Sequence, residues 1–284
     1  MSEPIDHHYL PIFYLRQWGN PDGRVIRYYR PYKAVVATPV SPSRTGYEPW
    51  LYTLEGRPPD QRQMIETEFM TRTVDTPAAP VLEKLTARRS NSLSRDEKSS
   101  WIRFLLSLHY RNPETLSGIQ AKLGALLSAA MAEKPDEYTT IKEGSDPPTL
   151  TEWVSQHDSQ MIPNAGKLMM PQLIDSRNVG QLIFEFHWWT VDFTASRVSL
   201  LTSDRPLVMT NGLQKERCVI ALPLSPRLAF FASKDPQTVR TSIERTGMTA
   251  AARALNESVV MQAAKHVYGV DCAHLRFAEN RLRR

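Results

Sequence analysis

Four groups of residues in this 284-residue chain combine types and spacings that chemistry can use. The first is His7-His8-Tyr9-Leu10-Pro11-Ile12-Phe13-Tyr14-Leu15-Arg16, where adjacent imidazoles precede a helix that Pro11 starts. A histidine there can exchange protons near neutral pH or ligate a metal, and the helix dipole favours an anionic group beside it. The second is Thr202-Ser203-Asp204-Arg205-Pro206, with a carboxylate where one apolar β run ends and another begins. A rigid strand can fix such a group for catalysis, and Ser-Asp before X-Pro is equally ordinary turn chemistry. The third is a helix end at which Arg111 falls in register with Phe104 and Leu108 while His109 follows Leu105 by one turn. An inward arginine there meets its own helix carbonyls, a carboxylate or an anion. The fourth is polar residues in apolar helical faces: Glu68 with Asp75, seven positions on, and Asn256 among Ala252, Val259 and Ala263. Buried polar groups need partners, so each is expected to bond across the core. His187 and His266 read as core or capping residues.

The elements that would hold these groups follow from pattern and punctuation. A helix runs from Pro11 through Trp18 and stops at Gly19-Asn20-Pro21. Val25–Tyr29 and Ala34–Val40 read as a hairpin. From Asp60 the pattern is helical, with Met64, Ile65, Glu68, Phe69 and Arg72 on one side of a 3.6-residue wheel. A further helix carries Val81, Leu82 and Leu85, and breaks at residues 88 to 92. Ser94 and Glu97 form a capping box for a helix that turns Trp101, Phe104, Leu105 and Leu108 inward and ends near Asn112, before Pro113. Helices are expected over 115–133 and around Trp153, with an exposed loop or lid over Glu133–Pro148. Strands are expected over Leu182–Phe193, Val198–Thr202, Leu207–Thr210, Cys218–Leu222 and Leu228–Ala232, then helices over 235–245 and 248–267. Strands grouped between helical blocks indicate an α+β fold, helical N-terminal and central blocks packing on an antiparallel sheet from the C-terminal half. Residues 1–284 form one compact domain in this reading, helix-rich over 1–176 and β-rich with flanking helices over 177–284.

Composition bounds the function classes. Hydrophobic residues make up 41%, enough for a sizeable core and outside the disordered regime. Cys218 and Cys272 supply neither a disulfide framework nor a zinc ribbon, which fits a reducing, cytoplasmic setting. The acidic, His-rich start MSEPIDHH is not a secretory signal, and the apolar stretch from Leu182 is too short and too charged for a membrane span. A net charge of +5 biases the chain toward anionic ligands or nucleic acid, with the tail Arg276–Arg284 contributing. There is no P-loop, GxGxxG, HExxH, GxSxG or paired CxxC.

Two motifs stand together: His8-x-x-Pro11-x-x-Tyr14-Leu15-Arg16, preceded by His7, and Ser203-Asp204-x-Pro206, followed by Pro223-Leu224-Ser225-Pro226. In these, the sequence resembles the bacterial family catalogued as Domain of Unknown Function 4238 over most of its length. The acidic Glu68–Asp75 helix and the His109-x-Arg111 helix end fit the same layout; Trp18 stands where such sequences carry phenylalanine. The resemblance implies that His8 and Asp204 share a site and supplies no reaction. The expectation that follows is a small hydrolase of a phosphoester or nucleic acid whose pocket gathers His7 or His8, Asp204, Arg111 and an acid from the Glu68 helix. In it His8 transfers protons, Asp204 orients it and Arg111 stabilises negative charge. A second version has a divalent metal held by His8, Asp204 and Glu68. The alternatives are a non-catalytic module that holds an anion or nucleic acid, and a purely structural role for the motifs.

Overall fold

The computed structural model describes residues 5–88, 90–133 and 135–283. Met1–Pro4, Arg89, Lys134 and Arg284, which enter the readings of the N-terminus, the break, the loop and the tail, lie outside the described residues. Among the described residues the strands are β1 (Asp6–His8), β2 (Val25–Tyr29), β3 (Val36–Val40), β4 (Tyr47–Pro49), β5 (His187–Asp192), β6 (Thr202–Ser203), β7 (Val208–Met209), β8 (Val219–Ser225), β9 (Leu228–Ser233) and β10 (His266–Gly269). The helices of the first half are α1 (Ile12–Leu15), α2 (Pro59–Arg62), a π-helix (Ile65–Asp75), α3 (Thr76–Thr86), α4 (Arg95–Tyr110) and α5 (Pro113–Glu133). They continue as α6 (Pro135–Ile141), α7 (Leu150–His157), α8 (Met161–Ile174), α9 (Arg177–Phe184), α10 (Pro236–Thr246), α11 (Met248–Gln262) and α12 (Leu275–Glu279). The fold is α+β with antiparallel sheets.

Among the described residues the strands form three sheets. The pair β1–β4 stands apart, β3-β2-β10-β6 forms a second, and β5-β9-β8-β7 a third. All six residues of β9, Leu-Ala-Phe-Phe-Ala-Ser, are buried. Alternation along the strand explains why. Phe230 faces Trp101 of α4 at 5.8 Å, whereas Phe231 belongs to the core that α11 closes with Leu255 and Val259. Each ring contributes about 2 kcal/mol by leaving water. Helix α4 starts as its capping box requires: Ser94 Oγ accepts the Glu97 N–H at 3.2 Å, and the Glu97 carboxylate accepts the Ser94 N–H at 2.9 Å.

Several expected elements are corrected. The stretch from Leu182 is not one strand: helix α9 runs to Phe184 and β5 begins at His187, because a short apolar run fits both periods. The 133–148 stretch contains α6, whose Tyr138 hydroxyl donates to the Pro147 carbonyl at 2.9 Å. The C-terminal strands do not form one sheet, since β6 pairs with β10 beside the N-terminal hairpin. The 198–202 run is strand only at its end. Its backbone is instead held by side chains: Asn256 donates to Ser199 O and accepts the Leu201 N–H, both at 2.8 Å, and Trp18 donates to Leu200 O at 2.9 Å. The helix expected over 248–267 stops at Gln262, and His266 lies on a strand.

Candidate functional site

The N-terminal motif divides into architecture and site. Tyr14 Oη donates to the Pro223 carbonyl at 2.7 Å and lies 2.8 Å from Thr202 Oγ1, so Tyr14 and Trp18 pin α1 to the third sheet and to the run before β10's neighbour β6. Upstream, β1 pairs with β4 in the register His7↔Glu48 and His8↔Tyr47. Alternation then sends the two imidazoles to opposite faces. His7 is fully buried, accepts the Tyr52 N–H on Nδ1 at 2.9 Å and stacks on the Tyr52 ring at 5.5 Å and 17°. His8 is half-buried against the Tyr47 ring.

The acidic residues come from the π-helix. Its hydrogen bonds reach back five residues, as from Thr76 N–H to Thr71 O, which winds it at roughly 4.4 residues per turn in place of 3.6. Buried Ile65, Met70 and Val74 follow that repeat. Nine positions are about two and a half turns of α-helix but close to two turns here, so Glu66 and Asp75 share a face that α-winding would separate. The face expected over Met64, Ile65, Glu68, Phe69 and Arg72 is therefore split: Ile65 is buried and Phe69 packs against the core, whereas Met64, Glu68 and Arg72 are exposed. Glu68 pairs with Arg72 on the surface at 2.6 Å.

Arg111 ends α4 against this face. Its side chain is 0% exposed, Nη1 donates to Asp75 Oδ1 at 2.9 Å, and its carbonyl accepts the Tyr52 hydroxyl at 2.7 Å. Its Nε and Nη2 are buried without a hydrogen-bond partner, as are Glu66 Oε2 and His8 Nε2. Orphaned polar atoms are costly in a native interior and mark places where a ligand or solvent completes the bonding. The charges are coupled. Burial, with Asp75 adding to it and Arg111 opposing, pushes the Glu66 carboxyl up to about 7. Burial also raises Asp75 against the pull of Arg111. His8 is held below its usual range by burial, with the Arg111 charge adding to that and Asp6 and neighbouring backbone groups opposing. A buried cation with free donors thus sits beside two carboxyls, the Glu66 one raised to about 7, and its charge reaches the His8 ring.

Asp204 takes a different place from the one expected. Its carboxylate accepts the N–H groups of Ala264 at 2.9 Å, Lys265 at 2.6 Å and His266 at 2.8 Å, and its own N–H donates to His266 O at 3.0 Å. Those bonds unwind the chain after α11 and start β10. Burial raises its carboxyl while the three backbone donors hold it down. The charges acting on His8 are those of Asp6 and Arg111; Asp204 instead acts on Tyr9, where with burial and Tyr268 it keeps the phenol protonated. The metal set of His8, Asp204 and Glu68 does not assemble: Glu68 is on the surface, the Asp204 oxygens are taken by backbone, and no three His, Cys, Asp or Glu side chains converge on a cation position among the described residues. Glu66 and Tyr52 were not singled out from sequence. A signal near Glu66 was the threonines at 67 and 73, whose hydroxyls bond the upstream carbonyls of Gln63 and Glu68, both at 3.0 Å.

Fold and site together define a helix-rich α+β protein with an enclosed arginine–carboxyl–imidazole cluster. The chain belongs to the family described as protein of unknown function (DUF4238), whose model matches residues 6–271. No match is found among curated proteins or among solved structures. Among the described residues, no helix is long and apolar enough to cross a membrane.

Proposed function

We propose that the protein is a hydrolase of phosphoesters, with the ester phosphate held at Arg111 and protons exchanged by Glu66 and His8. The observation that carries this reading is the buried Arg111 guanidinium with two unpartnered donors beside a carboxyl that titrates at about 7. A carboxyl raised to about 7 and an imidazole held below its usual range are groups whose environments assign one the acid's part and the other the base's. Burial keeps His8 neutral, so it accepts the proton of an attacking water. Glu66, about half of it protonated near neutrality, delivers a proton to the leaving oxygen. Arg111, fixed by Asp75 and by the Tyr52 hydroxyl, meets the charge that develops on the phosphoryl oxygens without reorganising. The net charge of +5 favours a polyanion, so nucleic acid is the leading natural substrate within this class. Two free cysteines, Cys218 and Cys272, suit a cytoplasmic setting.

The test is hydrolysis of chromogenic phosphate mono- and diesters and of labelled oligonucleotides by wild type, Glu66→Gln and His8→Gln. Loss of an acid or base is expected to lower kcat by about 10²-fold or more with KM little changed. Turnover in the wild type that survives Glu66→Gln undiminished would remove Glu66 from the mechanism. Saturable, salt-sensitive binding with no product would instead establish an anion-binding module.

A further inference from the structure

A cavity lies where the run before β6, α11 and the start of α12 meet. It measures about 280 Å³. Its floor holds Ser199 and His274, 8% and 7% exposed, with Ser199 Oγ 3.0 Å from His274 Nε2. Asn256 fixes Ser199 by bonding its carbonyl at 2.8 Å, and the Tyr28 hydroxyl accepts the His274 backbone N–H at 3.4 Å. Around the rim stand Arg197, Arg227 and Arg253, facing one carboxylate, Asp271. Among the described residues none of the three guanidiniums pairs with a carboxylate; Arg227 Nη1 donates to the Ser196 carbonyl at 2.8 Å.

Three like charges around one concavity repel one another, and a single Asp cannot balance them. An anion would. The floor supplies what an anion needs besides charge: with His274 Nε2–H donating to Ser199 Oγ, the Ser199 hydroxyl is free to donate outward. Burial, with Arg227 adding to it against Asp271, keeps the His274 ring neutral and so able to play that part. The space holds a phosphate group with room for part of the molecule that carries it. We propose that this cavity is an anion site, separate from the Arg111 cluster, that binds a phosphate group through Arg197, Arg253, Arg227 and the Ser199 hydroxyl.

The measurement is a phosphate titration of the full chain followed by NMR of the histidine ring protons, with the His274 signal assigned by its loss in His274→Gln. Inorganic phosphate and phenyl phosphate are both used, which separates a site for the free ion from one for an ester. The His274 resonance is expected to move saturably. The exposed pair Arg197→Gln and Arg253→Gln, whose side chains carry no hydrogen bond in the structure, should each weaken phosphate by about tenfold and leave the melting temperature in place. Glu66→Gln should leave the His274 titration unchanged, so that loss of the hydrolase reading and loss of this site are distinct results. A His274 signal unmoved by about 10 mM of either probe, or equal binding by the double arginine variant, overturns the proposal.

Discussion

Tyr52 holds His7 twice, through its N–H to Nδ1 at 2.9 Å and through a ring stack at 5.5 Å, while the same tyrosine's hydroxyl closes on Arg111 O. With Nδ1 accepting, His7 carries its proton on Nε2. His7, the alternative to His8 for the pocket in the sequence reading, is thus a buried strut between β1 and the end of α4. His7→Phe keeps the stack and removes the acceptor, leaving a buried N–H unpaired. It is expected to lower stability by about 1–3 kcal/mol in urea unfolding. A stability equal to wild type would show that Tyr52 does not depend on His7.

Asp204 is the acceptor for three consecutive backbone N–H groups, and its replacement strands all of them. Asp204→Ala should cost about 3 kcal/mol or more. Amide exchange at Ala264, Lys265 and His266 should quicken before the rest of the fold opens. Glu68→Ala, which breaks only the surface pair with Arg72, should change stability by less than about 0.5 kcal/mol.

Glu66 gives stability a slope with pH. Its carboxyl is raised in the folded state to about 7 from an ordinary value of 4.5, so the native state holds the extra proton between those values. Stability from this group is full at pH 4.5 and below and is lost as pH rises through about 7. A shift of that size corresponds to about 3 kcal/mol, an upper figure for a group so close to Asp75 and Arg111. Comparing Glu66→Gln with wild type at pH 5 and pH 8 should show the variant gaining ground at the higher pH. Parallel curves would show that Glu66 is not proton-linked.

His266 works in the opposite sense. Burial, with Arg27 and Lys265 adding to it, lowers its ring to about 4 from 6.5. The unfolded chain binds the proton first on acidification, so stability is lost as pH falls from 6.5 through about 4. His266→Gln should flatten that part of the acid unfolding curve by about 2–3 kcal/mol.

Much of the frame was legible because local signals agreed with tertiary packing. The capping box of α4, the β2–β3 hairpin and the need of Asn256 for partners all appear in the structure. An inward Arg111 was readable from its register with Phe104 and Leu108, and its partner is the carboxylate of Asp75. What escaped sequence reading has one physical source in each case. Asp204 ends α11 through bonds sixty residues away in sequence, which no local pattern encodes. Glu66 was hidden because a 3.6-residue wheel was laid over a segment that is not wound at 3.6.

That winding makes the cluster unusually sensitive to chain length. Extra residues per turn are what a π-helix amounts to, so excising one residue between Glu66 and Asp75, Thr71 for instance, would let the segment relax toward ordinary α geometry. The two carboxyls would swing out of phase while the flanking helices kept their places. Insertions and deletions, which ordinarily damage folds more than substitutions do, would here act as a tuning screw on the spacing of acid, acid and arginine.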